Sequence, residues 1–378
     1  MSTLKGIKTI TDRAGTGAVN FTNGVNISGS DSGLAAFNHT EGSTEPTSPA
    51  NGDTWWDTTN EVYKVYVNDK WTEVTINAAS GSWYGDRAVL AGFSDGSTHT
   101  NVIQYYDITS AGNASDFGDL TETTNYMSGA VSDGSTGVFS LGYSSSWATL
   151  NKLEYVSTAS TSNATDFGDT TAARVLSAGC SDGTIGLFGG GQETSQVNSI
   201  DQITIATTAN ATDFGDLTRV ASTLASCSDA TRGLFGGGYD GSNKSNVIDY
   251  VTIASAGNAT DFGDLSSVLR APAALSDATY GVFGGGDLAD GSKVNVIQYV
   301  TIQTTANASD FGDLTAARFA MSGTSNGTYG TFNGGEEGAS TKVNKIEYIT
   351  IASTGNATDF GDLLGAGFYG AATSGNAS

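Results

Sequence analysis

Asn258-Ala259-Thr260-Asp261-Phe262-Gly263-Asp264 is the stretch on which the fold turns, because it recurs along the chain. The tetrapeptide Asp-Phe-Gly-Asp occurs six times, with its phenylalanine at Phe117, Phe167, Phe214, Phe262, Phe311 and Phe360. The steps between them are 50, 47, 48, 49 and 49 residues. Asn-Ala-Ser or Asn-Ala-Thr precedes every copy. An apolar run ending in glycines, such as Leu187-Phe188-Gly189-Gly190-Gly191, follows about 21 residues later. An asparagine then opens an alternating stretch, such as Asn246-Val247-Ile248-Asp249-Tyr250-Val251-Thr252-Ile253. A period of this length marks a repeat architecture, and it has to be read before anything else.

Each copy reads as four short strands. The first is small and apolar, as in Arg318-Phe319-Ala320-Met321-Ser322-Gly323. The second ends in the glycines. The third alternates with period two, and the fourth holds Asp-Phe-Gly-Asp. Ser-Asp-Gly and Gly-Asn-Ala-Thr supply the turns between them. No stretch keeps a period of 3.6. Four strands in about 48 residues predict a β-propeller blade, and six copies predict six blades over residues 82–378. The first copy opens at Ala88-Val89-Leu90-Ala91-Gly92, a second strand without its first. The last copy runs into Gly367-Phe368-Tyr369-Gly370-Ala371-Ala372-Thr373-Ser374, a first strand without its second. Thr373 lies 13 residues after Phe360, the offset of Cys180 from Phe167. The C-terminal strand is therefore expected to complete the first blade, which removes free sheet edges.

The pattern resembles the kelch propeller family. The double glycine after the second strand and the tyrosines Tyr250, Tyr299 and Tyr348 in the third match that family's repeat. The phenylalanine of Asp-Phe-Gly-Asp stands where kelch repeats carry tryptophan, which implies a divergent branch.

Before residue 82 the composition changes, and three of the five tryptophans lie there, with Trp83 just beyond. Residues 49–81 hold Gly52-Asp53-Thr54-Trp55-Trp56-Asp57 and Val62-Tyr63-Lys64-Val65-Tyr66-Val67-Asn68-Asp69-Lys70-Trp71, short strands with a tight hairpin expected at Asn68-Asp69. This segment resembles a small β-module of bacteriophage tail-fibre and other virion proteins. Residues 1–48, rich in Gly, Ser, Thr and Asn, are expected to be an extended arm held by a partner.

Composition excludes several classes. The net charge is −23, which disfavours nucleic acid and anionic membrane as partners. Cys180 and Cys227, 47 residues apart, read as small core residues. Neither a signal peptide nor a membrane span of ~18 apolar residues is legible. Asp-Phe-Gly lacks every other kinase element, so it carries no kinase meaning. The sequon asparagines Asn113, Asn163, Asn210, Asn258, Asn307 and Asn356 read as turn residues bonding local backbone. The paired aspartates lack the alternating carboxylates of a strong Ca²⁺ loop. Arg174, Arg219, Arg270 and Arg318 sit at repeat-related positions rather than in one catalytic cluster, and His39 and His99 are the only histidines. No cofactor, metal or enzymatic activity is expected.

These readings point to a bacteriophage virion protein, a tail fibre or surface appendage, that displays a propeller toward a host-surface receptor or glycan. Other virion proteins, and a homotrimer, are the further partners expected. Trp55, Trp56 and Trp71 are the candidate anchoring residues. The irregular connections between second and third strands are expected to share a face and to carry recognition. On them lie the candidate receptor contacts Trp147, Tyr239, Asp240, Glu336 and Glu337. A decoration protein without receptor activity and a polysaccharide hydrolase are the alternatives.

Overall fold

A computed structural model describes residues 7–9, 20–21, 39–50, 53–57, 62–67, 70–73 and 84–376. The described chain is all β and contains no helix. It divides into two compact regions, residues 1–79 and 80–378.

In the first region, Thr54–Asp57, Val62–Val67 and Lys70–Glu73 form antiparallel neighbours. The sheet also takes in His39–Gly42, parallel to Thr54–Asp57, so it reaches back past the boundary at residue 49 expected from sequence. Ile7–Thr9 pairs with Asn20–Phe21. Residues 1–6, 10–19 and 22–38 of the expected arm, and the Asn68-Asp69 hairpin, lie outside the described residues.

The second region contains six sheets built on one plan. Ala178–Ser181, Ile185–Gly189, Ser199–Thr204 and Thr212–Asp216 pair in sequence order, each antiparallel to the last. The other copies repeat this order. Ala371–Gly375 takes the inner place beside Arg87–Ala91, with Thr373 opposite Val89, as the repeat offset predicts. Each inner strand packs beside the inner strands of two neighbouring sheets, and Ala130–Ser132 lies against both Ala178–Ser181 and Ala371–Gly375.

The meaning of Asp-Phe-Gly-Asp is now physical. In every sheet the register between third and fourth strands slips by one residue at the phenylalanine, as where Ile200 faces Gly215 but Asp201 faces Asp213. This is a β-bulge. It turns each phenylalanine inward: all six are at most 5% exposed. Phe214 packs with Leu217 of its own sheet and with Phe235 and Ala259 of the next. The glycine that follows has φ between +141° and +157° in all six copies. A Cβ on Gly215 would meet the Gly257 carbonyl oxygen at 2.4 Å. Only glycine fits both the conformation and the approach.

The bulge frees the next aspartate's N–H, and the neighbouring sheet takes it. Asp169 N donates to Asn210 Oδ1 at 3.1 Å, while Ala211 N donates back to the Asp169 carbonyl at 2.7 Å. The same two-bond clip joins Asp119 to Asn163, Asp216 to Asn258, Asp264 to Asn307, Asp313 to Asn356 and Asp362 to Asn113. The sequon asparagines therefore do not bond local backbone, as their turn position suggested. Their carboxamides reach a strand end 41 to 44 residues earlier, and Asn113 reaches Asp362. The cause is the bulge, which leaves a donor at the sheet edge where the adjacent turn projects.

A second inter-sheet contact runs along the inner strands. Ser181, Ser228, Ser276, Ser325 and Ser374 each donate a hydroxyl hydrogen bond of 2.6–2.8 Å to the carbonyl of the preceding sheet's serine, beginning with Ser132. Between Ser374's strand and Ser132's, Asn376 N donates to the Gly134 carbonyl at 2.7 Å. The aspartates that follow behave as expected of turn residues: Asp182 Oδ1 accepts from Thr184 N and Ile185 N, both at 2.8 Å.

The inner strands are shorter than the sequence suggests. Arg318-Phe319 does not belong to the sixth inner strand, which is Ser322–Ser325; it pairs instead with Glu336–Glu337. Ala320 intervenes with φ +57°, and a left-handed residue ends a strand. The equivalent residues Tyr126, Leu176, Thr223, Ala271 and Tyr369 share this conformation. Several are chained by backbone bonds, such as Ala271 N to the Thr223 carbonyl at 2.8 Å.

Two stability outcomes follow from this geometry. Gly215→Ala is expected to cost roughly 1–3 kcal/mol for backbone strain alone, and urea unfolding measures it; a loss below 0.5 kcal/mol would contradict the close approach to Gly257. Deleting residues 363–378 removes the strand beside Arg87–Ala91, and the remaining chain is expected to lose its cooperative thermal transition.

Candidate functional site

The two ends of the inner strands differ. At the serine end the turns repeat almost unchanged, and Tyr84 is inserted among the inner strands. Its hydroxyl lies 3.1 Å from Ser276 Oγ and donates to the Ser228 carbonyl at 3.2 Å. Burial holds that phenol protonated well above its usual range. A cavity of about 80 Å³ lined by Tyr84 and the serines lies there. At the other end, a cavity of about 110 Å³ is lined by Leu176, Thr223, Ala271, Ala320 and Tyr369.

That second end collects the irregular connections. The link from each fourth strand to the next inner strand runs beside the link from second to third strand, as in the bridge of Ser222 to Tyr239. Loops on this end break the repeat symmetry, and an aromatic series occupies one sector. Trp147 lies 4.7 Å from His99, 5.7 Å from Tyr143 and 6.4 Å from Tyr126, measured between ring centroids. Tyr126 continues the series to Phe368 at 5.4 Å and Tyr369 at 5.0 Å, and Phe319 lies 6.0 Å from Tyr369.

Trp147 is 50% exposed and has φ +60°. In four of the other five connections of this type the positive-φ residue is glycine: Gly96, Gly241, Gly291 and Gly338. A bulky side chain there costs about 1–2 kcal/mol. The turn is nonetheless tight, with Trp147 N donating to the Ser144 carbonyl at 2.8 Å and Ser144 N to the Ala148 carbonyl at 2.9 Å. The positive φ of Tyr126 and its equivalents recurs in all six copies and belongs to the architecture. At the tips of the second-to-third connections the conformation falls on glycine except at Trp147. Backbone strain and solvent exposure of a large apolar group coincide at this residue.

The other sequence-derived candidates are more committed to their own surroundings. Tyr239 is half-buried, donates its hydroxyl to the Gly241 carbonyl at 2.7 Å, and has the Arg270 guanidinium 5.7 Å from its ring centroid. Asp240 is exposed, but one oxygen accepts Asn243 N at 2.6 Å and Ser242 N at 2.7 Å, which lowers its pKa. Glu336 is buried between Lys293 at 2.8 Å and Lys342 at 3.2 Å. Glu337 pairs with Lys345 at 2.8 Å and lies 4.0 Å from Arg318. Trp147 and Glu336 meet across Tyr126, whose hydroxyl feels both Lys342 and Glu336. Tyr239 and Asp240 stand apart, beside Arg270.

Sequence reasoning missed Tyr126, Tyr369, Phe368, His99 and Lys342. A signal existed: Tyr126 and Tyr369 occupy the position nine residues after the repeat phenylalanine that Leu176, Thr223, Ala271 and Ala320 hold elsewhere. Two aromatic departures at one repeat position mark the sector.

The repeat-related arginines hold the architecture. Arg174 pairs with Asp201, Arg219 with Asp249 and Arg318 with Glu347, each at 3.0 Å. The carboxylates also accept backbone N–H bonds from Thr171, Thr218 and Thr315. Arg270 turns to Asp287 at 2.9 Å, and the neighbouring sheet carries the neutral Gln298 at the carboxylate position, bonded to Ser266 N at 2.7 Å. Among the described residues no group of three or more His, Cys, Asp or Glu is placed to hold a metal ion.

In the N-terminal region, Trp55 is 3% exposed, lies 5.7 Å from Trp71, and donates its indole N–H to the Gly42 carbonyl at 3.0 Å. The Lys64 ammonium sits 4.6 Å over its ring. Trp55 and Trp71 thus pack the sheet that was expected to anchor the protein. The Trp56 side chain lies outside the described residues.

No protein-family model matches the chain, and no curated protein sequence matches it.

Backbone conformation at Trp147 is open to a stability test. Glycine recovers the left-handed penalty and alanine keeps it, so Trp147→Gly is expected to be more stable than Trp147→Ala by about 1 kcal/mol. Thermal unfolding of the two variants measures the order. The reverse order would remove the strain argument.

Proposed function

We propose that residues 82–378 form a closed six-bladed β-propeller of kelch-like type, carried by a bacteriophage virion structural protein that binds the host surface. The closed architecture is supported by the pairing of Ala371–Gly375 with Arg87–Ala91, by the two inner-strand neighbours of every sheet, and by the Asp362–Asn113 clip. Together these leave no sheet without a partner on either side, as closure requires.

The observation that carries the binding function is Trp147, an exposed indole on a strained turn. It lies at the end of the inner strands away from Tyr84, through which the polypeptide enters the repeat region. Irregular aromatic loops carried on a rigid scaffold are where recognition usually resides. The virion assignment is supported by the resemblance of residues 49–81 to a module of phage fibre proteins. Residues 1–80 then join the protein to the particle, and the acidic surface keeps the displayed domain soluble and away from nucleic acid.

Virions carrying Trp147→Ala are expected to adsorb to host cells roughly tenfold more slowly or worse, the effect of truncating one aromatic anchor. The protein should remain on the purified particle. Unchanged adsorption would refute host binding through this face. A chain lacking residues 1–80 is expected to fold but to be missing from purified particles by immunoblot, and its normal incorporation would refute the attachment role.

A further inference from the structure

The aromatic sector ends in a concentration of cations. Lys293 and Lys342 both pair with the single carboxylate of Glu336. Lys244 and Arg270 both pair with that of Asp287. Each of these two carboxylates is therefore shared by two cations. The Glu336 group sits beside the rings. The Lys342 ammonium is 4.9 Å from the Phe368 centroid and the Lys293 ammonium 5.2 Å from that of Phe319. Arg270, Asp287 and Glu336 all act electrostatically on the Tyr369 hydroxyl.

The lysines differ in how far they are committed. Lys293 is 10% exposed and is held by Glu336 and the Gly338 carbonyl. Lys342 is 23% exposed, with longer contacts of 3.2 Å to Glu336 and 3.4 Å to the Ser340 carbonyl. Glu336 already has a close cation in Lys293, so Lys342 is the second charge on one carboxylate. It can turn one donor outward without leaving a buried anion unpaired. The acidic loop tips nearby, Asp240 and Asp290, are occupied by N–H groups of their own turns.

We propose that this sector binds an anionic saccharide, one bearing a carboxylate or phosphate group. A sugar ring stacks on Trp147, and the acidic group is received by Lys342 across Tyr126. The inference rests on the host-binding reading above and assigns its ligand class. An exposed indole supplies the flat apolar surface that a pyranose face requires. A charge-assisted hydrogen bond from an ammonium that is already partly desolvated against Phe368 supplies selectivity for the acid. A neutral sugar would satisfy the indole but leave the loosely held Lys342 ammonium without its anion.

The test uses the full chain and three soluble probes: oligogalacturonate, a phosphorylated oligomannoside and neutral maltohexaose. Binding is followed by tryptophan fluorescence and calorimetry at 50 and 500 mM salt. One or both anionic probes are expected to bind about tenfold or more tightly than maltohexaose, which is 1.4 kcal/mol or more. That advantage should shrink at high salt, a readout independent of any variant's folding. Lys342→Gln should lose most of the anionic preference, and Trp147→Ala should lose binding of the preferred probe. Preference for oligogalacturonate assigns a carboxylate, and preference for the oligomannoside a phosphate. Equal binding of neutral and anionic probes, or binding of none, would overturn the ligand class. Host adsorption that still depends on Trp147 would then leave the host-binding reading standing, whereas adsorption indifferent to Trp147 would remove that reading instead.

Discussion

Everything in the repeat region depends on one irregularity, the β-bulge at the phenylalanine of Asp-Phe-Gly-Asp. A regular fourth strand would have pointed that phenylalanine and its neighbours to alternate faces and spent the next N–H within its own sheet. The extra residue instead turns the ring inward, forces a positive φ that only glycine accepts without strain, and delivers the Asp N–H to the adjacent sheet. Sheet-to-sheet cohesion is thus written into the same four residues that end each sheet. The clip is polar and directional, and the phenylalanine beneath it is apolar and buried. Each supplies what the other lacks: orientation from the hydrogen bonds, and most of the free energy from burial.

The inner strands add a second layer of the same logic. A serine hydroxyl from five of the six inner strands satisfies a carbonyl on the preceding one, so small side chains bring the strands close without leaving acceptors bare. Tyr84 uses that arrangement, placing its own hydroxyl against Ser276 and Ser228. The opposite end repeats only in part. There the fourth-to-first connections end in left-handed residues, and the second-to-third connections vary in length and chemistry. With the scaffold held by the clips and serines, these loops are free to diverge, and one sector has accumulated Trp147, Tyr126, Tyr143, Tyr369 and Phe368.

Charge is distributed by the same division. Arg174 and Arg318 are buried, and Arg219 half-buried, against carboxylates that also cap backbone N–H groups, so their ion pairs belong to the fold rather than to chemistry at a surface. Lys244, Lys293 and Lys342 instead extend between loops, each reaching from one connection toward the next. Their pairing with Asp287 and Glu336 stiffens the sector that flanks the aromatic series. Local order of this kind lowers the cost of binding, because the contact groups need not be immobilised when a ligand arrives.

The sequence by itself determined the repeat, its six copies, the four strands in each, the burial of the phenylalanines and the partner of the C-terminal strand, because all of these are expressed in spacing and alternation. It also located Trp147 on an irregular connection. What it did not determine was direction in space. That Asn210 serves Asp169 rather than its own turn, that Ser228 reaches Ser181, and that Ala320 cuts Phe319 away from the inner strand all depend on which sheet lies beside which. Tyr126 and Tyr369 are separated by 243 residues, and only the tertiary structure sets their rings 5.0 Å apart. A repeat pattern records how each unit folds on itself. The contacts that make a site arise between units, where residues distant in sequence meet, and no local period encodes them.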